Sequence, residues 1–435
     1  MELFSTTTPQ EKVTPKLEPL SFEELLQVYR TIRQESLELI RPLSTEDCQI
    51  QSMPDASPVK WHLAHTSWFF ETFILKKFAP QYREFSPQFD RLFNSYYNAI
   101  GEQFSRPSRG VLSRPSLGEV IKYREHIDQF VAEFLLSESC TEQALALLEI
   151  GIQHEKQHQE LILTDLLHGL SQNPILPAYS ETTAIEQTDI AALEWFEFSG
   201  GLTEIGASED GFSYDNERPV HKHYLEPFKL ASRPASNGEY LEFIQDGGYS
   251  RSEFWLSDGW ALLNKGLTEG QKAAPLYWQK QDKNWYQFSL AGLQKLNPNQ
   301  PACHLNYYEA NAFAAWSGKR LPTEFEWERA SHTALEQADY LDLSKLQPGI
   351  GSQAGLSQMF GGVWEWTASS YLGYPGFKPF AGDAGEYNGK FMSGQFVLRG
   401  GSCVSPENHI RSSYRNFFYP HQSWQFSGVR LAEDI

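Results

Sequence analysis

"TEQALALLEIGIQHEKQHQELILTDLLHG", residues 141–169, decides how the N-terminal half is read. Placed on a helix, Leu147, Ile150, Gly151, His154, Leu161 and Asp165 fall near one stripe, and His158, four residues after His154, lies on it too. Both imidazoles therefore point toward the interior of whatever this helix packs against. Gln157, at i+3 from His154, flanks the same face.

The surrounding sequence supplies the partners. "SFEELLQVYRTIRQESLELIRPL" (21–43) opens on Ser21 with Glu24 three later, a capping-box pattern, and Pro42 marks its end. "SPVKWHLAHTSWFFETFILKKF" (57–78) is expected to start with Ser57 as N-cap and Pro58 in the first turn. "SLGEVIKYREHIDQFVAEFLL" (116–136) again pairs a serine, Ser116, with Glu119. With 141–169 ending at Gly169, these make four long amphipathic helices, hence a four-helix bundle with one long excursion over 79–115.

The second helix carries His62 and His65. His65 has Trp61 at i−4, Trp68 at i+3 and Phe69 at i+4, which puts it in the apolar stripe; His62 sits nearer the edge. His65 is therefore favoured over His62 as a third inward imidazole. A buried neutral imidazole needs a partner for each ring nitrogen, and one metal ion supplies that for three rings together. Three imidazoles suit Zn, Fe, Ni or Cu, and three protein ligands leave positions open for chemistry.

Composition narrows the classes. A net charge of −19 repels phosphate backbones and argues against nucleic acid. No stretch is apolar for long enough to span a membrane, and the N-terminal segment has no apolar core of a signal peptide. Cys48, Cys140, Cys303 and Cys403 are widely spaced, which reads as a reducing, cytoplasmic setting.

Beyond 172 the grammar changes. Residues 173–193 read as a linker between a bundle spanning 18–172 and a second domain over 194–435. There, short aromatic and β-branched runs such as "WFEFSGGLTEIG", "HKHYLEPFKLA" and "FVLRGGSCV" alternate with turn residues, while "NGEYLEFIQDG" and "YYEANAFAAWSGK" are helical. The fold class is an α-helical bundle joined to a loop-rich α+β domain.

"WHLAHTSWFFE" and "HEKQHQE" together resemble the DinB-like four-helix bundle of the ergothioneine-biosynthetic sulfoxide synthases. "GKRLPTEFEWERA" (318–330), "GGVWEWTASS" (361–370), "VLRGGS" (397–402) and "FSGVRLA" (426–432) resemble the domain fused to that bundle, similar to formylglycine-generating enzymes and related to C-type-lectin-like modules. The resemblance covers nearly the whole chain. It implies a nonhaem Fe(II) enzyme that uses O2 to join a thiol, cysteine or γ-glutamylcysteine, to the imidazole C2 of hercynine and oxidises the sulfur to a sulfoxide.

The resemblance also implies roles. His65, His154 and His158 would be the metal ligands and Gln157 would help hold hercynine. Tyr96 or Tyr97, in the long excursion, would deliver a proton or hydrogen atom to an oxygen intermediate; Tyr374 in "GYPGF" is the competing tyrosine. Arg106 and Arg109 match a basic pair for the thiol substrate's carboxylate. Arg415, Asn416, Phe417 and Phe418 match a hercynine-contacting segment, where aromatic faces can hold trimethylammonium. Some members carry an acidic residue where this chain has Phe418, so free cysteine is the favoured donor.

Two departures from the resemblance matter. Formylglycine-generating enzymes use a close cysteine pair near the C-terminus; here Cys403 is the last cysteine, so this half should be a binding scaffold. Gly362 stands where related domains often have Asn, which weakens any calcium site. Competing readings are an ovothiol-type enzyme acting on histidine itself, a metal-dependent thiol transferase, and a ligand-binding adaptor without activity.

Overall fold

A computed structural model describes residues 21–180, 188–271, 273–334 and 338–435. The linker expected over 173–193 lies partly outside these described residues. The bundle helices run Phe22–Ile40, Val59–Phe70, Leu117–Leu135 and Glu142–Ser171. Ser21 accepts from the Glu24 N–H at 3.2 Å while Glu24 accepts from the Ser21 N–H at 2.8 Å, and Ser116 and Glu119 repeat the arrangement. Each such cap satisfies a backbone donor that the helix cannot and stabilises its end by about 1 kcal/mol.

Tertiary demands shift three boundaries. The second helix is capped by Pro58, one residue later than expected, because Ser57 is committed elsewhere. The Ser57 N–H donates to Asp165 Oδ2 at 2.7 Å, and its hydroxyl accepts from Arg109 Nη1 at 2.8 Å. The same helix does not run evenly to residue 78; a π-helical turn spans Glu71–Leu75. Buried Glu71 opens that turn and accepts the hydroxyls of Tyr82 and Tyr123. The fourth helix passes through Gly169 to Ser171. Gly169 is a packing residue, since a Cβ there would meet Ile50 Cγ2 at 2.7 Å.

The second and fourth helices approach closely at Gly151, where a Cβ would lie 2.4 Å from Phe70 Cε1. A buried ion network locks the helices together. Glu155 receives Arg33 Nη1 at 3.0 Å, Arg124 Nη2 at 2.9 Å and the Ser36 hydroxyl at 2.6 Å. Arg33 reaches Ser67 and Arg124 reaches the Leu63 carbonyl, so all four helices are joined. Burial alone would raise the Glu155 pKa, but Arg124 and Arg33 hold it down at about 2.

The C-terminal domain is α+β. A three-stranded antiparallel sheet orders Trp195–Phe198, Phe228–Ala231 and Ala432–Asp434. A four-stranded sheet orders Asn416–Phe418, Phe396–Arg399, Trp364–Ser370 and Ser427–Gly428, with Val397 opposite Phe417 and Trp366 opposite Leu398. The helices Asn237–Gln245 and Tyr307–Trp316 lie where the sequence reads as helical; Ser257–Thr268 is a further helix that the sequence pattern does not single out.

The four C-terminal motifs interlock through buried ion pairs. Arg399 of "VLRGGS" pairs with Glu324 and Glu328 of "TEFEWERA" at 3.1 and 2.7 Å. Arg430 of "FSGVRLA" pairs with Glu365 of "GGVWEW" at 2.7 Å, and Trp327 donates to that carboxylate at 2.7 Å. These residues build the scaffold. All four cysteines are free thiols. Among the described residues, no helix is long and apolar enough to cross a membrane.

Candidate active site

His65, His154 and His158 are buried, and one ligand nitrogen from each lies within 4.8 Å of the others. Packing fixes their rings. Trp61 and Trp68 stack on His65 at 4.6 and 5.6 Å, and Phe69 packs on His154 at 4.8 Å. These are the i−4, i+3 and i+4 neighbours that mark the apolar stripe. His65 Nδ1 lies 2.6 Å from the Phe93 carbonyl, to which it can only donate, leaving Nε2 as the nitrogen with a free lone pair.

The electrostatics suit a metal. Burial, and then the neighbouring imidazoles, push His65 and His158 well below the usual histidine range. Burial takes His154 down to about 3. The rings are therefore uncharged at neutral pH, with lone pairs available. His154 Nδ1 is buried without a hydrogen-bond partner. Three neutral imidazoles with an orphaned ring nitrogen fit a divalent transition metal, and the residues present match that group. Among the described residues this is the one cluster of His, Cys, Asp or Glu that could hold an ion.

The triad opens on a cavity of about 440 Å³ between the two domains. The bundle contributes the histidines, Gln157, Tyr96, Arg106 and Arg109; the C-terminal domain contributes Asn416, Phe417 and Phe418. Gln157 donates to the Tyr414 hydroxyl at 2.7 Å and accepts from that of Tyr387. Arg109 is buried over the Trp61 ring at 3.4 Å, with Nε and Nη2 unpartnered. Burial, with Arg106 beside it, pushes its guanidinium below the ordinary range, so the site gains from an incoming anion. Arg106 is exposed at the cavity rim.

Three candidates from the sequence stand apart from the cavity lining. Tyr97 lies behind Tyr96, their rings stacked at 4.6 Å, and packs on Phe73 at 5.0 Å and Trp68 at 5.7 Å. Arg415 is fully engaged: a two-toothed pair with Glu324 at 2.8 and 2.9 Å, plus the carbonyls of Asn216 and Leu372. Tyr374 belongs to the same cluster, taking Arg399 Nη2 at 3.0 Å and donating to Glu324 at 3.2 Å. Arg415 precedes the strand that begins at Asn416, and its pairing with Glu324 and the two carbonyls holds it outside the cavity lining.

The cavity also holds residues that sequence reasoning missed. Tyr387 packs on His154 with centroids 5.7 Å apart, and Tyr414, Trp364, His409, Phe391 and Trp424 complete its C-terminal wall. Trp364 lies in the "GGVWEW" motif and Trp424 follows the aromatic run at 417–419, which are the signals that could have found them. Tyr387 and His409 sit in loops without periodicity.

The fold and site thus define a DinB-type metal-binding bundle closed by a domain of the formylglycine-generating class. Residues 27–162 match the DinB superfamily, and residues 186–354 and 345–435 match the sulfatase-modifying factor enzyme 1-like domain. The chain is 31% identical to hercynine oxygenase of Mycobacterium tuberculosis over 426 residues, covering 91% of this chain and 96% of that protein. It is 29% identical to hercynine oxygenase of Mycolicibacterium thermoresistibile, covering 91% and 92%. Ergothioneine biosynthesis protein 1 of Schizosaccharomyces pombe is 29% identical over 51% of this chain and 28% of its own. The chain belongs to the hercynine oxygenase family and is an oxygenase-type enzyme.

Proposed function

We propose that this chain is an Fe(II)- and O2-dependent sulfoxide synthase that joins cysteine to the imidazole C2 of hercynine. The observation that carries the reading is the facing of the two walls: three uncharged imidazoles on one, an aromatic surface with amide groups on the other. His65, His154 and His158 would hold Fe(II), which when bound would supply the activation of O2. The remaining work falls to the protein.

Hercynine carries a trimethylammonium group that has no hydrogen-bond donor, so aromatic faces and amide oxygens are what can hold it. Phe417, Phe418 and Asn416 offer them, and Gln157, clamped between Tyr387 and Tyr414, orients the imidazole. The open donors of Arg109 take the thiol substrate's carboxylate, and Arg106 strengthens the local field. Tyr96 lines the cavity, and burial raises its phenol to about 12, so it is protonated at neutral pH and gives up its hydrogen only to a strongly basic or oxidising oxygen. Phe418 offers no charge to a γ-glutamyl amine, which favours free cysteine as donor over γ-glutamylcysteine. The four free thiols and the acidic surface fit a cytoplasmic enzyme.

The test is anaerobic loading with Fe(II), then O2 with hercynine and each thiol in turn, the product read by mass spectrometry. A C–S-linked sulfoxide from cysteine supports the proposal. Formation of none with either thiol refutes it, and a large preference for γ-glutamylcysteine overturns the choice of donor.

A further inference from the structure

His62, set aside as a metal ligand, is not idle. Its Nδ1 lies 2.8 Å from His158 Nδ1, and its Nε2 lies 3.1 Å from Asp165 Oδ2. All three residues are buried. Asp165 is met on both oxygens by groups that can only donate: the Ser57 N–H on Oδ2 at 2.7 Å and the Trp424 indole N–H on Oδ1 at 3.0 Å. Those donors keep the carboxylate an acceptor, so His62 carries its proton on Nε2 and turns a lone pair toward His158. His158 then carries its proton on Nδ1, and its Nε2 is left with the lone pair. With the opposite proton order, His158 Nε2 would hold a hydrogen and could bind no metal.

We propose that Asp165 and His62 are positioning residues that fix the tautomer of His158, and that Trp424 couples this relay to the docked C-terminal domain. The proposal rests on the reading of His65, His154 and His158 as metal ligands. It adds a second tier that spans both domains: the fourth helix supplies Asp165 and His158, the second supplies His62, and the C-terminal domain supplies Trp424. Outer partners of this kind typically alter metal affinity by roughly 10–100-fold.

The test is titration of the chain with Co(II) alone, read by visible absorption, for the wild type, Asp165→Leu, His62→Asn and His62→Phe. Leu removes the acceptor that Asp165 offers His62 while keeping similar volume. Asn at 62 keeps a carbonyl oxygen near the place of the His62 lone pair but leaves space; Phe keeps the ring volume but offers no acceptor. The relay predicts that His62→Asn binds Co(II) more tightly than His62→Phe, and that Asp165→Leu and His62→Phe each lose roughly 10–100-fold. A purely packing role predicts the reverse order, with Phe better than Asn, and that order overturns the proposal, as does unchanged affinity in Asp165→Leu. Should the variants not fold, imidazole ¹⁵N NMR of the metal-free wild type decides. Nε2–H on His62 with Nδ1–H on His158 supports the relay, and Nε2–H on His158 overturns it. If the wild type binds no Co(II), the ligand assignment itself fails; if it binds and the variants match it, only the relay does.

Discussion

Trp364 donates its indole N–H to Glu160 at 2.6 Å, tying the C-terminal sheet to the helix that carries His154 and His158. The hydroxyls of Ser402 and Ser405 meet the same carboxylate at 2.9 and 2.6 Å. Glu160→Ala removes the acceptor shared by three buried donors, of which the Ser402 and Ser405 hydroxyls, 3.4 Å apart, can pair only with each other. It should cost roughly 2–3 kcal/mol, since leaving a buried donor unsatisfied carries its desolvation penalty. Glu160→Gln, which retains one oxygen, should cost less. Denaturant unfolding of both variants checks the order; equal stability of Glu160→Ala and the wild type would remove this carboxylate from the account of domain docking.

Arg109 lines the cavity and carries two buried, unpartnered donors. Arg109→Ala should raise the KM for the thiol by roughly 10–100-fold while changing that for hercynine far less. Arg109→Lys should not restore it, because an ammonium lacks the planar fork. Steady-state kinetics with each substrate varied separate the two. An equal rise in both KM values points to general disturbance of the cavity instead.

Tyr96 lines the cavity whereas Tyr97 backs it. Tyr96→Phe should therefore divert oxygen toward thiol oxidation at the expense of the C–S product, with Tyr97→Phe much closer to the wild type. The ratio of sulfinic acid to sulfoxide, measured by mass spectrometry, is the readout. A larger diversion in Tyr97→Phe would exchange their roles, and a Tyr374→Phe effect would reopen the tyrosine of the Glu324 cluster.

Stability should carry a pH signature away from the site. Burial lifts the Glu309 carboxyl to about 7 from an ordinary 4.5, against hydrogen bonds from the Asn306 N–H and the Tyr249 hydroxyl. The folded state therefore holds a proton that the unfolded chain releases. The contribution is fully present below the unfolded value, falls as pH rises from 4.5, and is lost above about 7. Its size is on the order of 3 kcal/mol, because each tenfold gain in proton affinity on folding is worth about 1.4 kcal/mol. Urea unfolding across this window should show stability declining in the wild type relative to Glu309→Gln. Parallel curves for the two proteins contradict the raised carboxyl.

Local chemistry made much of the fold readable in advance. Capping pairs at Ser21 and Ser116 act within one turn, so sequence places those helix starts correctly. The helical repeat of His154 and His158, and the aromatic flanks of His65, likewise follow from spacing. What spacing cannot carry is competition from distant groups. Ser57 loses the cap to Pro58 because Asp165 and Arg109 take its polar atoms, and the glycine at 169 answers to close packing on Ile50 and does not mark a helix end. Arg415 and Tyr374 are drawn into pairing with Glu324, about 90 and 50 residues earlier in the chain. Tyr387, Tyr414 and His409 reach the cavity from irregular loops, where no period marks a facing side.

In the proposed function His65, His154 and His158, and not His62, hold the metal at which the reaction occurs. Its most direct test is one assay of bound iron and C–S product on the wild type and four alanine variants, all loaded anaerobically with excess Fe(II). The account predicts iron and product in the wild type and neither in His65→Ala, His154→Ala or His158→Ala, while His62→Ala, with weakened affinity overcome by excess metal, still forms product. Full turnover in any of the first three variants, or none in His62→Ala with its iron in place, would contradict it.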